Sequence, residues 1–69
     1  MRKIIKSLKG GDYFVSIKRI SKVNYEVYWS GDKSDATVFE TTRQLNNALV
    51  MLQNANDNED EFIVIDLER

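Results

Sequence analysis

Val23-Asn24-Tyr25-Glu26-Val27-Tyr28-Trp29-Ser30 is the stretch on which the fold turns. Its odd positions are β-branched or aromatic and its even ones, Tyr28 apart, are polar, a period of two that fits a half-buried strand. Upstream, Tyr13, Val15 and Ile17 alternate with Phe14, Ser16 and Lys18 in a second strand of the same kind, broken from the first by Ser21-Lys22. Downstream, Ser30-Gly31-Asp32-Lys33-Ser34 has turn composition and Ala36-Thr37-Val38-Phe39 reads as a third strand. The expected arrangement is an antiparallel meander, with Tyr13, Tyr25 and Trp29 turned toward a core and Phe14 and Tyr28 away from it.

Past the meander the period lengthens. Thr41-Thr42-Arg43-Gln44 has capping-box spacing, and Leu45, Ala48, Leu49 and Leu52 then fall on one helical face, with Val50 and Met51 off it on opposite sides. Asn54 to Glu61 reads as a solvated loop. Phe62 to Leu67 reads as a last strand with apolar residues on both sides, the pattern of a strand covered on both faces or paired inside a sheet. A right-handed crossover sets this strand parallel to the third and beside the Tyr13 strand, leaving Ala36 to Glu40 as an exposed edge. At the other end Met1, Ile4, Ile5 and Leu8 recur at helical spacing before Gly10-Gly11. That predicts a short helix, although a stretch so brief also describes a first strand. Residues 1–69 are thus expected to form a single α+β domain: a small, mostly antiparallel four-stranded sheet (β-β-β-α-β), one long helix on one face, and a short N-terminal helix.

Composition narrows the chemistry. The 69 residues contain no cysteine and no histidine, which removes disulfides, thiolate nucleophiles, Ser/His and Cys/His pairs and nearly all transition-metal sites. An enzyme would have to work with carboxylates, Lys, Tyr or Ser, in a domain with little room for a cleft. Asp66, flanked by Ile65 and Leu67, reads as strand-end surface. The expectation is a non-catalytic protein without cofactor or metal. The longest apolar run, Phe62 to Ile65, falls far short of a membrane span, and residues 1–6 lack the apolar stretch of a signal peptide, so a cytoplasmic protein is expected.

The net charge of −1 hides an uneven distribution. Residues 1–33 carry eight Lys/Arg against three acids, and residues 34–69 two against eight. The plainer reading is that the halves pack together and neutralise each other; the functional one is a molecule with a basic and an acidic face. Asp57, Glu59, Asp60 and Glu61 lack calcium-loop spacing, and are read as solvated or as an acidic surface that imitates phosphates and binds a partner's basic groove. Phe14, Tyr28, Val50 and Met51 form an apolar set that the core pattern leaves outside, fit for a protein partner. With Lys18, Arg19 and Lys22 the aromatics also suggest a single-stranded nucleic-acid platform, the second choice. A homodimer through the Ala36 to Glu40 edge and Val50/Met51 is the third.

Met1-Arg2-Lys3-Ile4, the aromatic-rich hairpin from Tyr13 to Trp29, and Phe39-Glu40-Thr41-Thr42-Arg43-Gln44-Leu45 entering a helix together resemble small phage-encoded inhibitors. The nearest kind is the type I-F anti-CRISPR proteins that combine a small antiparallel sheet with helices. The likeness spans residues 1–52 and fails at Phe62 to Leu67, a strand where helix would be expected. It implies a non-enzymatic protein that blocks a host defence complex by occupying its nucleic-acid-binding surface, and it carries over no binding residue.

Overall fold

The computed structural model describes residues 1–56 and 61–67. Strands β1 (Lys3–Ser7), β2 (Tyr13–Arg19) and β3 (Tyr25–Ser30) are followed by a short 3-10 turn (Lys33–Asp35), helix α1 (Thr42–Asn56) and strand β4 (Phe62–Asp66). The four strands form one sheet in the order β3-β2-β1-β4 with all neighbours antiparallel. The α+β class, the β-β-β-α-β order and the long helix agree with the sequence reading, but the strands are not all the ones expected.

The N-terminal segment is a central strand and not a helix. β1 lies between β2 and β4, so adjacent residues Ile4 and Ile5 project to opposite faces and both are buried. Two consecutive buried residues fit a helical stripe by coincidence when the segment is only five residues long. Gly10-Gly11 accordingly turns one strand into the next. Gly11 adopts φ +74°, a conformation costly for other residues, and donates to the Ser7 carbonyl at 2.9 Å, while the Ser7 N–H donates to the Asp12 carbonyl at 2.8 Å.

The expected strand at Ala36 to Phe39 becomes a wedge. The Lys3 and Phe39 amides and carbonyls exchange hydrogen bonds of 3.0 and 2.7 Å, the Thr37 N–H donates to the Phe14 carbonyl at 3.0 Å, and the Thr37 hydroxyl donates to the Val15 carbonyl. The segment therefore joins β1 to β2 where those strands diverge, and it is no exposed edge. Nor is β4 interior: it pairs antiparallel with β1, from Lys3↔Asp66 to Ser7↔Phe62, and takes an edge position. β1, not β2, is its neighbour, because β1 supplies the free ladder side that the helical reading of residues 1–9 had withheld.

A β-bulge decides which residues enter the core. Phe14 pairs with Trp29 and Ser16 with Tyr28, leaving Val15 without a cross-strand partner. The extra residue resets the alternation, so Phe14 and Ile17 share the helix face, where strict alternation would oppose them. Ile5, Phe14, Phe39, Leu45, Ala48 and Leu52 form the core, with Ile17, Val27, Trp29, Leu49 and Phe62 packed against it. Phe14 stacks on Phe39 (centroids 5.9 Å) and meets Trp29 edge-on at 6.0 Å. Val23, expected inside the strand, is 79% exposed in the turn before β3, and Tyr13 lies on the opposite face, beside Lys6.

The helix stripe Leu45, Ala48, Leu49 and Leu52 seals this core as its spacing requires. Thr41 caps it: its Oγ1 accepts from the Gln44 N–H at 3.2 Å, and Gln44 Oε1 accepts from the Glu40 N–H at 3.3 Å, one residue before the position a capping box would use.

Candidate interaction surface

Helix α1 covers one face of the sheet. The register puts Tyr28, Ser16, Lys18 and Glu26 from the β2–β3 half on the other face, with Tyr13, Lys6, Ile63, Ile4 and Ile65 from the rest. Among the described residues no helix or second sheet covers it. Ile4 is buried there opposite Ile65, while Ile63 and Tyr28 are exposed, Tyr28 at 50%. The face thus grades from apolar at β1 and β4 to aromatic and charged at β2 and β3.

Local chemistry fixes Tyr28. Its hydroxyl donates to Glu26 Oε1, two residues along the same strand and hence on the same face. That hydrogen bond, with smaller contributions from desolvation and the Glu26 charge, raises the phenol above its ordinary pKa. Glu26 in turn stands opposite Lys18. The exposed aromatic therefore sits next to a carboxylate, which opposes the approach of phosphate.

The other sequence-derived residues disperse. Phe14 is 3% exposed and is no surface residue, because the bulge at Val15 turns it inward. Val50 is 56% exposed on the outer side of α1, away from Tyr28, and Met51 is half-buried. Lys18, Arg19 and Lys22 are all exposed near the β2–β3 turn, yet Lys18 and Arg19 are successive strand residues and diverge to opposite faces. Arg19 Nε donates to the Ser21 carbonyl at 3.2 Å. Of the acidic set, Asp57, Glu59 and Asp60 lie outside the described residues. Glu61 is exposed, and its carbonyl accepts from the Leu8 N–H at 2.9 Å.

The residues missed by sequence reasoning are Ile63 and Val64, both exposed on β4. A signal existed: Glu61 and Asp66 bracket the apolar run, and flanking charges are how sheets protect an edge. Within β4, Ile63 and Ile65 face the open side and Phe62 and Val64 the helix side. On the loop after β3, Asp32 Oδ1 accepts from both the backbone N–H (3.0 Å) and the hydroxyl (2.8 Å) of Ser34, which holds its carboxyl below the usual carboxylate range. Ser30 donates to Asp35 at 2.8 Å, so this loop is tied by its own side chains.

The chain matches no known family model, and neither a curated protein nor a solved structure matches it. Among the described residues no helix is long and apolar enough to cross a membrane, and no group of three or more acidic side chains is placed to hold a metal ion.

Proposed function

We propose that this chain is a non-catalytic protein-binding module that acts in the cytoplasm and uses the open face of its sheet. The observation that carries the reading is the exposure of Tyr28 and Ile63, on opposite edge strands of one face that no helix or second sheet covers among the described residues. Aromatic and aliphatic side chains ringed by polar groups supply the anchors of a protein interface. The resemblance of residues 1–52 to phage-encoded inhibitors extends the proposal to blockade of a host nucleic-acid-processing complex, with Asp57, Glu59, Asp60 and Glu61 facing a basic groove of that complex.

The nucleic-acid platform is the weaker reading. Stacking of successive bases needs several exposed rings, and with Phe14 in the core and Tyr28 held by Glu26 the set is depleted. Affinity capture from bacterial lysate after nuclease treatment, comparing the wild type with a Tyr28→Ala/Ile63→Lys double variant, tests the proposal. A stoichiometric protein retained by the wild type and lost by the folded variant is expected. Capture that vanishes with nuclease, or that the double variant retains in full, overturns it.

A further inference from the structure

Trp29, the single tryptophan of the chain, forms one wall of a shallow depression of about 240 Å³ at the turn end of the sheet, lined otherwise by Ser7, Lys9, Gly10 and Asp12. Asp12 is half-buried. Its backbone carbonyl is bonded to the Ser7 amide, but its carboxylate has no hydrogen bond or ion pair with a described residue. Two glycines border that carboxylate: a Cβ at Gly10 would stand 3.5 Å from Oδ2 and one at Gly31 3.7 Å from Oδ1, both ordinary contact distances.

A carboxylate without a partner, beside an indole wall and partly withdrawn from water, is matched by a cation with a flat, weakly hydrated surface. Guanidinium meets this description better than ammonium, which holds its water more strongly and cannot offer two parallel donors to one carboxylate. Guanidinium also packs flat on aromatic rings. An anion would be repelled by Asp12.

We propose that this depression binds the guanidinium group of arginine. Asp12 pairs with the guanidinium N–H groups and Trp29 supplies the apolar wall. The depression lies on the Trp29 side of the sheet and not on the Tyr28 side, so the site stands apart from the open face and does not depend on that face being an interface. Lys9 on the rim is the one opposing charge in the lining, and it forms no ion pair with a described residue. The arginine has two sources: a residue within a partner chain, or the free amino acid, whose carboxylate would then meet Lys9.

Trp29 is its own reporter. Tryptophan fluorescence is titrated with N-acetyl-arginine amide, with free arginine, and with N-acetyl-citrulline amide, which keeps the shape and lacks the charge. Saturable binding of the arginine ligands is expected, weaker by roughly tenfold or more for the citrulline ligand and for Asp12→Asn, the scale of one lost charge-assisted pair. Lys9→Ala, at an exposed position on the rim, removes the opposing charge and tightens binding of the blocked arginine ligand, and keeps the test decisive if Asp12→Asn fails to fold. Tighter binding of free arginine identifies the small molecule, and equal or tighter binding of the blocked form identifies an arginine in a chain. No saturable change, equal response to citrulline, or binding unaltered in both variants overturns the site.

Discussion

The rings of Trp29 and Phe62 stack with centroids 5.7 Å apart and planes 14° from parallel, although β3 and β4 form opposite edges of the sheet. Three strand spacings of nearly 5 Å separate those edges in a flat sheet, so the sheet must coil strongly toward its helix face to bring the rings together. What lies between them permits it. Ser7, the cross-strand partner of Phe62, is small and buried, and leaves the rings free to meet above it. Phe62→Ala should then cost about 2 kcal/mol, below the full core value because Phe62 is half-buried, and Phe62→Leu about 1 kcal/mol for the lost ring pair. Urea unfolding followed by Trp29 fluorescence measures both, and the native emission of Trp29 should shift in each.

Phe14 and Tyr28 make the complementary test of core against surface. Phe14→Ala should cost about 3–5 kcal/mol, which is all the stability that packing gives a domain of this size, so the variant should be unfolded by circular dichroism at room temperature. Tyr28→Ala should stay within about 0.5 kcal/mol of the wild type. A folded Phe14→Ala protein would contradict the bulge at Val15.

The helix cap is separable from both. Thr41→Ala removes the acceptor of the Gln44 amide and should cost about 1 kcal/mol, Thr41→Ser almost nothing. Thermal melts of the two variants, read by circular dichroism, check the difference.

Two titrations have opposite signs. The Tyr28 phenol is raised by its bond to Glu26, so the stabilisation from that bond is complete below about pH 10 and is lost as pH rises through the folded value. Asp32 is lowered by the donors of Ser34, so its stabilisation is present above about pH 4 and is lost as pH falls through the folded value. Phenolate absorbance should show a component above pH 10 that Glu26→Gln brings down and Tyr28→Phe abolishes. Ser34→Ala should raise the Asp32 carboxyl resonance midpoint by NMR.

Charge reversal of Asp57, Glu59 and Asp60 to lysine bears on the inhibitor proposal. Partner capture should weaken while the thermal midpoint of the domain stays put, and unchanged capture would remove the phosphate-mimic element.

Much of this architecture was legible in the sequence, for reasons specific to each element. Val27 and Trp29 alternate cleanly, and the Leu45, Ala48 and Leu52 stripe has one solution. Residues 3–7 misled because a central strand buries neighbours on both faces, as a short helix also buries Ile4 and Ile5. Val15 hid the bulge, since one inserted residue leaves no compositional trace and inverts the fate of Phe14. Ala36 to Phe39 has strand composition but is held by the Thr37 side chain and one bridge at Phe39. The candidate surface was harder to read: Tyr28 was visible as an aromatic out of phase, whereas the exposure of Ile63 depends on which strand stands at the edge, a property of the whole topology.

The placement of β1 between β2 and β4 has a consequence for biosynthesis. One flank of β1 can zip to its hairpin partner as soon as β2 is made, but the other waits for β4, which follows helix α1 in the chain. On the ribosome, Arg2, Ile4 and Lys6 therefore hold their ladder groups open until β4 has been made. The sheet closes only then, by the kind of long-range pairing that makes folding slow.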